Sequence, residues 1–158
     1  MVVAGMAVLE PRSSDEWLVA RRLVETYAAS IGIDLSFQNF DEEIESLSRY
    51  YAGPDGCFII AAWSGEAVGC GALRRFSESA CEMKRLYVIR DYRGEGVGRA
   101  IVAALIERAR ALGYRSILLD TVPTMSRAQS LYASFGFIQT PPYRFNPVAG
   151  ATYWKLDL

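Results

Sequence analysis

The chain has 158 residues, 51% of them hydrophobic, a formal net charge of −1 and no histidine. That length suits one domain, residues 1–158, with a core of its own, and the near-zero charge sets up no field toward nucleic acid or an anionic membrane. The missing histidine excludes a Ser-His-Asp triad, a histidine-bearing zinc site and any histidine general base, so proton transfer near neutral pH falls to a carboxylate, tyrosine, cysteine, lysine or bound water.

Met1–Gly5 has neither a basic region nor a long apolar segment and does not read as a signal peptide. No apolar run approaches the ~20 residues a membrane helix needs. Met6–Glu10 reads as a short strand. Ser13 and Glu16 form a capping-box pattern, and Trp17, Arg21, Val24 and Tyr27 follow it at helical spacing. Ile31–Phe40 is irregular, and Asp41–Tyr51 reads as a second helix with Ile44, Leu47 and Tyr51 on one side. Gly53-Pro54-Asp55-Gly56 is a turn.

Cys57–Trp63 is almost wholly apolar and reads as a strand buried on both faces. Ser64-Gly65 is a hairpin turn, Glu66–Phe76 runs back, and Ala80–Ile89 follows the turn at Ser77-Glu78-Ser79, which makes an antiparallel meander. The period then changes. Ile101, Val102, Leu105, Ile106 and Ala109 form a helical stripe stopped by Gly113, and Tyr114–Val122 is the next strand. A strand–helix–strand unit of this length implies a parallel pair with a right-handed crossover. Thr124–Phe135 reads as a helix ending at Gly136, with Phe137–Thr140 and Ala151–Leu158 as the last strands. Pro141, Pro142 and Pro147 keep the segment between them out of a central strand. Cys57, Cys70 and Cys81 have no Cys-x-x-Cys spacing and read as reduced thiols of a cytosolic protein. No ligand cluster implies a metal.

Between the fourth strand and the third helix lies Arg93-Gly94-Glu95-Gly96-Val97-Gly98-Arg99. Glycines at alternate positions clear one face of a loop, so its N–H groups can converge on an anion with the positive end of a helix behind them. That geometry suits a pyrophosphate. A Walker loop is excluded because Gly-Lys-Ser/Thr is absent. A dinucleotide fingerprint is disfavoured because Arg99 stands where its third glycine belongs and the preceding strand is charged.

This order of elements, β-α-α-β-β-β-α-β-α-β-β, with its Arg93-x-x-Gly96-x-Gly98 loop, resembles the GCN5-related N-acetyltransferase (GNAT) superfamily, as does the later segment from Ala128 through Leu131, Tyr132 and Gly136 to Phe137. The resemblance runs from about Met6 to Leu158. It implies a mixed α/β (α+β-like) fold with a mostly antiparallel sheet of roughly six to seven strands and helices on both faces. It also implies acetyl-CoA as co-substrate and direct transfer of the acetyl group, in a ternary complex, to a primary amine of a small molecule, amino acid or peptide. Family members are often homodimers. By the same resemblance the N–H groups of Arg93, Gly94, Glu95, Gly96, Val97, Gly98 and Arg99 hold the pyrophosphate. The main chain of Leu86, Tyr87 and Val88 pairs with the pantetheine arm, and an N–H there, best that of Val88, polarises the thioester carbonyl. Where the family often has an asparagine on the pantetheine arm this chain has Met125, and Ser126 or a backbone group takes that contact.

Glu82 and Val88 share parity, which places both on one face of a regular strand. A glutamate in this relation accepts the amine proton in several family members. An alkylammonium has a pKa of about 10, so a base is useful at pH 7. The plain alternative is a strand carboxylate that is solvated or paired with Lys84 or Arg85. Tyr132 matches the family's general acid for the leaving thiolate, against a tyrosine that merely packs into the core. Cys81 reads as an inert strand thiol rather than an acyl-carrying nucleophile. Arg74-Arg75 and Lys84-Arg85 read as exposed strand faces rather than binders of an acceptor carboxylate. The acceptor is expected between Ile31–Phe40 and Pro141–Gly150, with Phe37, Tyr143, Phe145 and Asn146 lining it. A non-catalytic acyl-CoA-binding or sensing domain is the alternative reading, and the presence of Glu82 and Tyr132 together weighs against it.

Overall fold

The structure is a computed structural model and describes residues 4–32, 39–123 and 126–158. Its elements are β1 (Met6–Leu9), α1 (Ser14–Ile31), α2 (Phe40–Glu45), α3 (Leu47–Tyr51), β2 (Cys57–Trp63), β3 (Glu66–Arg75), β4 (Ala80–Val88), α4 (Val97–Ala111), β5 (Ser116–Thr121), α5 (Ser126–Ser134), β6 (Ile138–Thr140) and β7 (Thr152–Asp157). Among the described residues seven strands form one sheet in the order β1-β2-β3-β4-β5-β7-β6. Every neighbouring pair is antiparallel except β4 and β5, which run parallel as the crossover helix α4 requires.

Local chemistry accounts for most boundaries. Ser13 Oγ accepts from Glu16 N at 3.1 Å while Glu16 Oε1 accepts from Ser13 N at 3.0 Å, so the capping box at the start of α1 is formed. Gly32, at φ 63°, ends that helix in the left-handed region. The expected single helix over Asp41–Tyr51 is two short ones, because Ser46 leaves helical geometry at φ −142°. The apolar side survives the break: Ile44, Leu47 and Tyr51 are all buried.

The sheet carries a core on each face. On one side Ile101, Val102 and Leu105 of α4 pack with Ile59, Leu73, Cys81, Met83 and Ile117. A Cβ on Gly71 would lie 2.7 Å from Ile101 Cγ2, so α4 approaches β3 through a position where no side chain fits. On the other side Leu23 and Val24 of α1 and Ile44 and Tyr51 of α2 and α3 pack with Phe58, Ile60, Cys70 and Tyr87. β2 faces both cores and is buried through Ala61. No helix of the described residues is long and apolar enough to cross a membrane.

Candidate active site

β4 and β5 begin as partners and then separate. Their ladder consists of Ala80↔Ser116, Cys81↔Ile117 and Glu82↔Leu118, yet β4 continues to Val88 and β5 to Thr121. The cause lies in β4. Arg85 sits at φ 61°, a left-handed conformation rare for a residue with a long side chain, and the register with β3 slips between Cys70 and Ala72. This β-bulge places one extra residue on β4 and turns the strand away from β5. A buried ion pair fixes it. Arg85 Nε and Nη2 donate to Glu43 of α2 at 2.8 and 2.9 Å, with both side chains almost fully enclosed.

The bulge overturns the expectation that Glu82 and Val88 share a face. Cys81, Met83 and Leu86 all lie in the α4-side core, so the alternation skips a residue at Arg85. Glu82 and Lys84 therefore point to the α1 side, while Val88 packs on the α4 side. What matters at Val88 is its main chain. Ile89 N donates to Val68 O at 2.8 Å, so alternation turns the Val88 N–H and C=O away from β3, into the gap beside β5. By the same alternation the main-chain groups of Tyr87, paired with Cys70, face β3 and are not turned to the gap.

The glycine loop closes one end of this gap. Gly94 and Gly96 have φ of 84° and 89°, where a side chain is strained, and Gly96 is the N-cap of α4. No side chain caps that helix, and its first-turn N–H groups at Val97, Gly98 and Arg99 have no intrahelical acceptor. One expected anion contact changes character. The Arg93 N–H is already committed to Arg90 O at 3.2 Å, and its Nε donates to Val88 O at 2.9 Å, which ties the loop to the end of β4. Arg99 spans to α5, donating from Nη2 to Ser134 Oγ at 2.9 Å, so only its main chain faces the loop's task. Glu95 is exposed. Phe37, Met125 and the side chain of Ser126 lie outside the described residues.

On the α1 side the last strands' connection folds over the gap. The Tyr143 hydroxyl donates to Glu82 Oε2 at 2.7 Å and Arg144 Nη2 donates to Glu82 Oε1 at 2.9 Å. Lys84 Nζ lies 3.9 Å from the same Oε1. Glu82 is 2% exposed, so it is not a solvated strand carboxylate. The pairing with Lys84 is present, whereas Arg85 belongs to Glu43. Lys84 and Arg85 are buried, contrary to the expectation of an exposed face; Arg74 and Arg75 are exposed as expected. Burial brings the Lys84 amine down to about 8. Asn146 reaches Asp120 of β5, its Nδ2 donating to Oδ2 at 3.0 Å. Phe145 stands 78% exposed.

Tyr132 of α5 belongs to the α4-side core, its ring 5.6 Å from that of Phe137. Its hydroxyl is raised well above the ordinary phenol value, chiefly by burial, with further contributions from Tyr27 and Asp120. Asp120 is one of the residues that sequence reasoning missed. Its signal was present: a carboxylate ends the apolar run Ile117-Leu118-Leu119, at a position that alternates with the α4-facing Ile117 and Leu119.

The three cysteines are buried and free. Burial pushes each thiol up to about 12, so none is a thiolate at working pH and Cys81 is unsuited to carry an acyl group. An aromatic disulfide reagent at pH 8 is expected to release no colour from the native chain over minutes, and three equivalents after denaturation. Rapid reaction of one thiol in the native state would reopen Cys81 as a nucleophile.

Comparison with known proteins bears on the family and the fold. The family described as "Acetyltransferase (GNAT) family" matches residues 20–137. An uncharacterised N-acetyltransferase of Schizosaccharomyces pombe is 40% identical over 154 residues, covering 96% of this chain and 93% of that protein. The crystal structure of an acetyltransferase from Streptococcus agalactiae superposes with a TM-score of 0.80 at 25% identity, covering 99% of this chain and all of that one. A Salmonella typhimurium protein solved with its cofactor acetyl-CoA has the same fold, with a TM-score of 0.65 at 17% identity over 97% of this chain and 94% of its own.

Proposed function

Because the chain belongs to the GNAT acetyltransferase family, we propose that it transfers an acetyl group from acetyl-CoA to a primary amine of a small molecule, amino acid or peptide, directly and within a ternary complex. The observation that carries this reading is the gap beyond Glu82↔Leu118, walled by the edge of β4 at Val88, whose main chain is turned from β3, and closed by the uncapped N-terminus of α4. The N–H groups from Gly94 to Arg99 hold the pyrophosphate, where converging amides and the helix dipole favour negative charge. The pantetheine arm lies along Val88, whose N–H polarises the thioester carbonyl as charge develops on its oxygen.

Glu82 takes a proton from the acceptor, directly or through water. Its two oxygens offer about four acceptor sites, of which Tyr143 and Arg144 use two. Tyr132 protonates the departing thiolate from the opposite side of the gap. The amide N–C bond forms as the thioester C–S bond breaks. Of the two protons the ammonium loses, one passes to Glu82 and on to water, and the other balances the one Tyr132 gives to sulfur.

Titration calorimetry with acetyl-CoA, followed by thiol release over a panel of amines, tests the reading. Saturable binding and amine-dependent release are expected. Binding without release from any amine would favour an acyl-CoA-binding module, and no heat at all would remove the cofactor from the site. Within the same assay Glu82→Gln is expected to lower kcat by about 10²-fold or more while CoA affinity stays within twofold. An unchanged kcat would take Glu82 out of proton transfer.

A further inference from the structure

The α1 side of the gap holds charge of both signs that the protein's own side chains leave incompletely matched. Lys84 is enclosed, its side chain 5% exposed, yet its ammonium finds no hydrogen-bond acceptor among the described residues; the nearest carboxylate oxygen is 3.9 Å away. Arg144 commits Nη2 to Glu82, its Nε is buried without a hydrogen-bond partner among the described residues, and the side chain keeps 31% exposure. Two cations thus share one carboxylate, Glu82, whose second oxygen is occupied by Tyr143. A buried donor ordinarily finds an acceptor, so the orphaned Arg144 Nε, with the Lys84 ammonium beside the same carboxylate but beyond hydrogen-bond reach of it, marks a place for an anion.

Asp120 is the opposite case. Its carboxylate accepts from the neutral amide of Asn146, and no cation among the described residues forms an ion pair with it. It lies on β5, and its field raises the phenols of Tyr132, Tyr143 and Tyr153. The Tyr143 and Tyr153 rings meet edge to face at 5.4 Å, with Arg144 next to Tyr143 in the chain and Asp120 opposite Tyr153 in the β5–β7 ladder, so the two charged residues share one aromatic neighbourhood. Counting Glu82, Lys84, Arg144 and Asp120 together, the pocket is near neutral but polarised, which is the complement of a zwitterion and a poor match to a polycation.

The geometry points to a free α-amino acid as the acceptor, its carboxylate docked on Arg144 and Lys84 and its ammonium on Asp120. This assignment rests on the acetyl-transfer reading above and narrows it. A peptide N-terminus or a simple alkylamine carries no carboxylate beside the amine and leaves both cations as they are. With the carboxylate held by Arg144 and Lys84, the amine lies between Asp120, which neutralises the ammonium, and Glu82, which takes its proton. Lys84 and Arg144 were dismissed or overlooked in the sequence because a charged pair on a strand usually faces solvent and Arg144 stands in a proline-bounded loop.

Thiol release from acetyl-CoA, measured with the full chain on the standard amino acids, their carboxamides and their decarboxylated amines, tests this. At least one amino acid is expected to exceed its own carboxamide and amine by about tenfold or more in kcat/KM, the scale of a charge-assisted contact. Arg144→Met is expected to bring that ratio down toward one, and Asp120→Asn to raise KM for the amino acid more than it lowers kcat. Carboxamides or amines used as well as the amino acids would overturn the assignment and leave acetyl transfer standing, as would a ratio that survives Arg144→Met. Release from no acceptor of any class would remove both. The wild-type panel decides the matter even if a variant fails to fold.

Discussion

Glu43→Ala is expected to lower the unfolding free energy by about 3–5 kcal/mol, the scale at which removing one member of a buried ion pair leaves the other charge enclosed without its carboxylate. Glu43 is fully buried and takes two hydrogen bonds from Arg85, whose left-handed backbone forms the bulge that parts β4 from β5. The helix α2 carrying Glu43 is only six residues long and could not order itself alone. The pair therefore couples a weak local element to the strand geometry on which the gap depends. Urea unfolding measures the loss. The companion variant, Glu43→Leu with Arg85→Met, separates stability from shape, since replacing both charges by apolar groups is often neutral. It is expected to recover most of the midpoint while acetyl-CoA affinity remains depressed, because nothing then anchors the bulge to α2. Full recovery of both would reduce the pair to a packing element, and a single variant as stable as the parent would show that the pair contributes nothing.

The fold was largely legible because periodicity and turn residues agree with each other along this chain. The Ser13 capping box, the Ser64-Gly65 hairpin and the Ile101–Ala109 stripe each name their element by local chemistry alone. The bulge at Arg85 was not legible. Nothing in Lys84-Arg85-Leu86 distinguishes a regular strand from a bulged one, and one inserted residue reverses every face assignment beyond it. That is why Glu82 and Val88 were wrongly placed together, although each was the right residue to examine. Glu43 and Asp120 were missed for a related reason. A carboxylate in a helix rich in Asp41, Glu42 and Glu45 looks solvated, and one at a strand end looks like a terminator. Only their tertiary partners, Arg85 and Asn146, show otherwise. The acceptor's features were least legible of all, because Tyr143, Arg144 and Asn146 come from an irregular loop that converges on Glu82 and Asp120 only after the sheet has formed.

Tyr132→Phe is expected to lower kcat by about 10²–10⁴-fold, the range for a positioned general acid, with CoA affinity and thermal stability nearly unchanged. The substitution keeps the ring that packs 5.6 Å from Phe137 and removes only the hydroxyl. The raised pKa of that hydroxyl appears at first to argue against an acid, since a weaker acid gives up its proton less readily. The surroundings that raise it act equally on the leaving group. Burial takes each of this chain's own thiols up to about 12, and a thiolate expelled into the same dry gap meets the same penalty for bearing charge. Phenol and thiol thus rise together and the transfer stays closely matched, while the phenol remains protonated across the whole working range. The wild-type kcat should therefore show no inflection from Tyr132 on the alkaline side up to pH 10, and pre-steady-state rates in the Phe variant should fall at the chemical step rather than at cofactor binding. If kcat and Kd shift together, the tyrosine merely shapes the gap; if neither shifts, water protonates the thiolate and the hydroxyl is idle.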